Sequence, residues 1–346
     1  MSYTNGLDKP SDYFETVLYT GTGSTQSITS LDFQPDWVWG KTRNDTQDHQ
    51  IIDSVRGATK LLATNGTAAE FTDTNNLTSF NSNGFTVGSS GGINGSSDTL
   101  VTWCWKAGGS ASSNSNGSIT SSVSANQDAG FSIVSWTGNG STATIGHGLG
   151  SAPKVVIIKS RDNSSHAWFL GHESLGWTKY MTLENTNGEN TDVIWNNTAP
   201  TSSVFSVGGY SSTNGSGVKF IGYCFAEKKG YSKFSSYVGN GSSDGSYIHL
   251  GFKPAFVMVK VTNTTNNWMV FDNKRSDVSG ANVNGNMLRP NLSDAELTDD
   301  DLDFLSNGFK WRRNSAGFNG SGNTFIFMAF AENPFVTSTG VPATAR

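Results

Sequence analysis

Few residues of this chain combine types and spacings that could do chemistry. His166 and His172, with Glu173 adjacent, come nearest to a metal-binding set. The Ala-Trp-Phe-Leu run between the histidines reads as strand and loop, whereas zinc binding on a helix face uses an HExxH pattern. The acidic run Asp299-Asp-Asp-Leu-Asp303 lacks the spacing and glycine of a calcium loop, so it reads as a solvated loop or helix cap. Gly21-x-Gly23 opens like a dinucleotide fingerprint, but the third glycine position is Gln26, and its counterparts in two similar stretches are Ala143 and Asp244. No helix pattern follows to offer an N-terminus to a phosphate. No serine recurs with a histidine and a carboxylate in a repeated context. The paired carboxylates of sugar hydrolysis are a spatial feature, and nothing in the sequence argues for them. The expectation is a non-enzymatic chain with no metal and no cofactor.

Aromatic side chains are the remaining candidates. Most of them recur at matching positions along the chain and read as core. Trp177, Tyr180 and Trp195 do not recur; they lie in a divergent stretch from Gly171 to Ala199, among Asn185, Thr186 and Asn187. An aromatic face stacks on the C–H face of a pyranose, and amides satisfy its hydroxyls. Trp177, Tyr180, Trp195, Asn185 and Asn187 are therefore candidate glycan- or partner-binding residues. The competing reading is that the aromatics complete a satellite core or a subunit contact. A second divergent stretch runs from Ser276 to Asp303.

The elements that would position these residues come from an internal repeat. An aromatic followed by Gly-x-Gly-Ser occurs at Tyr19–Ser24, Trp136–Ser141 and Tyr237–Ser242. Fourteen or fifteen residues after the first glycine, a proline opens an apolar run that ends in lysine: Pro35–Lys41, Pro153–Lys159 and Pro254–Lys260. Phe85, Phe205 and Phe309 follow, then Asn-Gly-Ser at Asn94, Asn214 and Asn319, then an aromatic-rich closing segment at 101–105, 221–225 and 326–330. The proline-to-lysine runs are short, β-branched and aromatic, which predicts strands. Both faces of these strands are apolar, so something must cover each side. Asn-Gly predicts a hairpin tip. The expected fold is all-β: three homologous β-sandwich, jelly-roll-like domains of about 100 residues in tandem, at 13–108, 131–229 and 230–335. Residues 1–12 form an N-terminal arm, 109–130 a flexible Gly/Ser/Asn-rich linker that tethers the first domain apart, and 336–346 a C-terminal tail.

Composition sets the class. Charged residues make up 15% of the chain against a typical ~25%, which leaves serine, threonine and asparagine to solvate it. A net charge of −5 argues against nucleic acid and anionic membranes as partners. No run approaches the ~18 apolar residues of a membrane span, and the start has no secretion signal. Cys104 and Cys224 occupy the same place in two repeats, with Ala329 in the third, so they read as buried free thiols suited to a reducing cytoplasm.

Several strings are specific enough to carry a resemblance. They are Tyr19-Thr-Gly-Thr-Gly-Ser24, Gln34-Pro-Asp-Trp-Val-Trp39, Asp53-Ser-Val-Arg-Gly-Ala58, Leu77-Thr-Ser-Phe-Asn-Ser-Asn-Gly-Phe85 and Trp103-Cys-Trp-Lys-Ala-Gly108. Gly130-Phe-Ser-Ile-Val-Ser-Trp-Thr-Gly-Asn-Gly140 and Gly146-His-Gly-Leu-Gly150 continue them. Together they resemble a module of tailed-bacteriophage virion proteins, above all tail-fibre and receptor-binding proteins of marine phages. The resemblance implies a non-enzymatic adhesive or structural role on the virion, after assembly in the bacterial cytoplasm. Expected partners are host-surface glycan or receptor and other virion proteins. A capsid or tail decoration role is the alternative, and a glycan depolymerase a third. The doubly apolar strands predict a homo-oligomer, and analogy with phage fibres favours a trimer.

Overall fold

The computed structural model of the chain describes residues 6–275 and 282–342, with the side chains of 299–301 left aside. Residues 1–5, 276–281 and 343–346 lie outside the described residues, and with them parts of the expected arm, tail and second divergent stretch. The fold is all-β, built from antiparallel sheets that pair into sandwiches. Each sandwich has the same central trio. An opening strand (Phe14–Thr20, Phe131–Thr137, Ser232–Val238) and a proline-to-lysine strand (Trp37–Thr42, Val155–Ser160, Phe252–Val261) flank a closing strand (Thr99–Trp105, Lys219–Phe225, Thr324–Pro334). The register repeats as well. Cys104 lies between Glu15 and Val38, Cys224 between Ser132 and Val156, and Ala329 between Lys233 and Val257. Both cysteines are free and buried, and burial pushes the Cys104 thiol up to about 12.

Alternation along these strands sends side chains to two different cores. Val38 and Cys104 point into the first sandwich, with Leu77 and Phe85 of the opposing sheet. Trp37, Trp39, Trp103 and Trp105 point the other way, into a core shared by all three sandwiches. Trp105, Phe225 and Phe330 hold equivalent places on the closing strands and converge there. The ring centroids of Phe330 lie 5.4 Å from Trp105 and 5.9 Å from Phe225, and Trp37 lies 4.5 Å from Trp105 and 5.9 Å from Phe225. The second apolar face of each proline-to-lysine strand is thus covered inside one chain. Those faces therefore do not call for a second copy of the chain.

The sandwiches contact one another in a cycle. The Glu70 N–H of the first donates to the Arg161 carbonyl of the second (2.7 Å), Glu189 of the second to Thr262 of the third (2.7 Å), and Glu296 of the third to Arg43 of the first (2.7 Å). Two of the three lysines that end the proline-to-lysine strands follow the same path, while Lys41 Nζ donates to the Thr42 and Asp45 carbonyls of its own sandwich. Lys159 Nζ donates to Thr67 O of the first sandwich (2.9 Å), and Lys260 Nζ to Thr186 O of the second (3.2 Å). Desolvation lowers Lys41, Lys159 and Lys260 alike to about 8.

Two expectations need correction. Residues 109–130 are not a free tether: Ser112–Asn114 and Ser121–Asn126 are strands that extend the second sandwich's sheet beside Phe131–Thr137. Alternating small side chains at Val123 and Ala125 pack on its core, a pattern hidden by the Ser/Asn-rich composition. Nor is Asn-Gly-Ser a hairpin tip. Asn94, Asn214 and Asn319 are fully buried, each ending a short turn, and Gly95 and Gly215 have φ −58° and −55°, outside the region that a type I′ turn needs. Their amides pin the Gly-x-Gly-Ser loops: Asn94 Nδ2 donates to Ser24 O (2.7 Å), Asn214 Nδ2 to Ser141 O (2.6 Å) and Asn319 Nδ2 to Ser242 O (2.8 Å). Gly21 is required there, since a Cβ would stand 2.0 Å from Gly95 O. The described end of the arm packs on the body, and the tail meets the arm. Leu7 is buried in the shared core, and the Asp8 carboxylate accepts the Ser338 N–H (2.7 Å).

The contact between the first and second sandwiches gives the clearest stability prediction. Tyr223 Oη of the second donates to Asp53 Oδ2 of the first (2.8 Å), which also holds Arg56 Nε (2.5 Å), and neither Asp53 nor Arg56 has side-chain exposure. Tyr223→Phe is expected to lower unfolding free energy by about 1–3 kcal/mol. Asp53→Ala is expected to lower it by about 3–5 kcal/mol, because Arg56 is left charged and buried. Urea titrations at low and high salt should give the same differences, since a buried pair is little screened.

Candidate functional site

The divergent stretch of the second sandwich folds as a strand (Lys179–Thr182), a two-residue strand (Asn190–Thr191) and a 3-10 turn (Val193–Trp195). Asp192 caps that turn by accepting the Val193 N–H (2.7 Å). This chain path decides the fate of the candidate aromatics. Trp177 and Trp195 are buried in the sandwich core, edge to face at 5.5 Å. Both rings lie against Gly171, where a Cβ would come 2.6 Å from Trp177 and 2.7 Å from Trp195. They offer no stacking face, so burial as core replaces glycan contact for these two. Tyr180 is half-buried, its ring 5.3 Å from Phe169.

Asn185 and Asn187 serve the loop between Thr182 and Asn190. The Asn187 N–H donates to Asn185 Oδ1 (2.9 Å), and Asn185 Nδ2 donates to Glu184 Oε1 (3.1 Å). Thr186 O between them accepts Lys260 Nζ and the Asn266 N–H (2.9 Å) of the third sandwich. These amides therefore shape an intersandwich contact, although the Asn187 side chain is exposed. The structure does not gather the two asparagines with Trp177 and Trp195 into one surface.

Exposed aromatics not singled out by sequence context include Phe71, Tyr247, Phe335 and Tyr210, of which Tyr210 stands near Val193 of the divergent stretch. Tyr210 is 41% exposed, and Val193 nearby is 46% exposed. The Asp192 carboxylate faces both phenols and raises the pKa of each, as the largest cause at Tyr210 and after desolvation at Tyr180. Aligning the repeats on the buried asparagines would have found it. Tyr210 O accepts the Asn214 N–H (2.7 Å), just as Ser90 O accepts that of Asn94 (2.9 Å) and Ser315 O that of Asn319 (2.8 Å). Two repeats keep a serine at this position, and the second sandwich alone puts a solvated ring there.

The other chemical candidates settle into structure. His172 is fully buried; its Nδ1 accepts the Ser174 N–H (3.1 Å) and its Nε2 lies 3.3 Å from Phe327 O of the third sandwich. The His166 carbonyl accepts Lys159 Nζ (2.9 Å). Among the described residues, no three or more His, Cys, Asp or Glu side chains gather as a metal site. Asp303 belongs to the strand Leu297–Leu305, which replaces the expected loop or helix cap, and pairs with Arg312 (2.8 Å). A groove of about 650 Å³, lined by Gln34, Asp36, Lys106, Gly108, Asn126 and Asp128, opens where the chain leaves the first sandwich. Asp36 there accepts the Ala107 and Gly109 N–H groups (2.8 and 3.2 Å), and burial raises its carboxyl pKa.

The class defined by this fold is a single-chain ring of three β-sandwiches around a shared aromatic core. The chain belongs to a family described as a domain of unknown function, DUF7483, whose model matches residues 9–334. That one match spans all three sandwiches. No curated protein and no solved structure matches the chain.

Two outcomes follow from these placements. Trp195→Ala should cost about 3–5 kcal/mol, read as a melting temperature several degrees lower, because it empties core volume. Acid should also loosen the second–third contact. Desolvation lowers the His172 pKa to about 4, so between pH ~6.5 and 4 the unfolded chain takes up the proton and the folded chain does not. Stability should fall across that window by up to about 3 kcal/mol, and thermal melts of His172→Gln should show a flatter pH profile than the parent.

Proposed function

We propose that this protein is a virion surface protein of a tailed bacteriophage, a non-enzymatic tail-fibre or receptor-binding protein that contacts host-surface glycan. The resemblance of its repeat strings to such modules supplies the class. The observation that carries the reading is the division of labour in the fold. What the repeats share holds the scaffold: the aromatics meet in the common core, the buried asparagines pin the Gly-x-Gly-Ser loop of each sandwich, and Lys159 and Lys260 reach the neighbouring sandwich. Part of what differs stays on the surface, as at Val193 and Tyr210, and recognition is usually built on divergent loops over a fixed scaffold. A chain that is only 15% charged, with Asp53–Arg56 and Asp272–Arg275 fully buried, rests little of its stability on the exposed ion pairs that salty water screens.

The test has two parts. Antibody labelling of purified particles, viewed by electron microscopy, should decorate the tail tip or fibres. Fluorescent purified protein should bind host cells and lose that binding after periodate oxidation of surface glycan. Labelling confined to the capsid would favour the decoration role, and absence from the particle would overturn the proposal.

A further inference from the structure

We infer that Tyr210, Val193 and Asp192 of the second sandwich form a subsite for a neutral pyranose. The inference rests on the glycan-binding reading above and narrows it to one place and one class of sugar.

Three independent features converge on this surface. The first is a comparison the chain makes with itself. Ser90 and Ser315 hold the position of Tyr210 in the other sandwiches, and their hydroxyls are used locally: Ser90 Oγ accepts Asn76 Nδ2 (3.4 Å) and Ser315 Oγ accepts the Gly317 N–H (3.3 Å). The second sandwich gives up that local bond and exposes an aromatic ring instead, which the packing of the domain does not demand.

The second feature is the chemistry around the ring. Val193 extends the apolar surface, with its Cγ2 3.7 Å from where a Cβ on Gly208 would stand, two residues before Tyr210. Asp192 adds a carboxylate whose Oδ1 is already oriented by the Val193 N–H (2.7 Å). An aromatic face beside an apolar side chain accepts the C–H face of a pyranose, and a fixed carboxylate accepts two neighbouring hydroxyls. A negative charge at that point repels uronic and sialic acids, so the geometry points to neutral sugars.

The third feature is rigidity. Tyr210 begins the short turn that ends in buried Asn214, whose amide is fixed by Asn139 Oδ1 (2.9 Å) and Ser141 O (2.6 Å). The ring is therefore presented from a pinned backbone, and little ordering is left to oppose a weak ligand.

Saturation-transfer NMR and calorimetry on the full chain test the site directly. The probes are the methyl pyranosides of glucose, galactose, mannose and N-acetylglucosamine, with methyl glucuronide and sialic acid as charged controls. At least one neutral glycoside should bind, more tightly than either acid. Tyr210→Ser, which installs the residue of the other two sandwiches, should weaken binding at least tenfold with the melting temperature unchanged within about a degree. Asp192→Asn should weaken it and narrow the gap to the acidic sugars. If no neutral glycoside binds, if the acids bind as well, or if Tyr210→Ser binds like the parent, the inference is overturned. Cell binding by the same preparation then judges the glycan reading separately: parent and Tyr210→Ser protein that both adhere to host cells would leave that reading standing without this site.

Discussion

The ring depends on buried carboxylates that are shared across the gaps between sandwiches. Asp53 and Asp272 occupy one position in the repeat, at the end of the strands Gln50–Asp53 and Met269–Asp272. Each turns its chain by accepting the N–H of the arginine three residues on, and each pairs with that arginine's Nε at 2.5 Å. Each then accepts an aromatic donor from the next sandwich, Tyr223 Oη on Asp53 and Trp103 Nε1 on Asp272, both at 2.8 Å. The arginines continue outward. Arg56 reaches Glu70, which holds Arg161 of the second sandwich; Arg275 reaches Glu296, which holds Arg43 of the first. A buried ion pair on its own contributes little net stability, and breaking one is expensive. These chains therefore act chiefly on specificity: any other arrangement of the sandwiches strands a charge.

The third contact supports that reading because the aspartate, the arginine and the aromatic donor have changed together, while Glu189, the counterpart of Glu70 and Glu296, pairs with Lys179 of its own sandwich. His172 stands where the aspartates stand, Leu175 where the arginines stand, and Met328 where the aromatic donors stand. A small apolar void lined by Leu170, Met258, Trp268 and Met328 remains at this contact. Replacing all partners of a buried network at once leaves no orphaned charge, whereas replacing one would. The rest of the contact keeps the common plan. Trp268 Nε1 donates to Thr182 O (3.0 Å) as Trp168 Nε1 does to Ala63 O (2.8 Å), while His49 fills the matching place in the first sandwich, its two ring nitrogens without hydrogen-bond partners among the described residues.

This division of duties bears on how recognition could be placed. The shared core fixes three similar bodies, so a surface change in one need not disturb the others. The first and third sandwiches then serve as internal controls for the second. Tyr210 against Ser90 and Ser315 is informative for that reason, whereas Trp177 and Trp195, equally absent from the other repeats, were absorbed into packing over Gly171.

The repeat, the strands and the positional match of Cys104, Cys224 and Ala329 were legible in the sequence, because strand alternation and landmark spacing are local properties of the chain. The doubly apolar proline-to-lysine strands also announced a second covering layer. Tertiary structure alone decided what that layer is. Nothing local distinguishes a neighbour in the same chain from a second copy, since both present the same apolar surface. The same limit explains Ser121–Asn126, whose polar composition reads as linker until a sheet edge supplies partners for its backbone. It explains Asn94, Asn214 and Asn319 too: Asn-Gly favours a turn locally, but a buried amide that satisfies a distant loop outweighs that preference. Exposure of Tyr210 and burial of Trp195 are set by which sheet covers which face, a long-range fact that neighbouring residues do not encode.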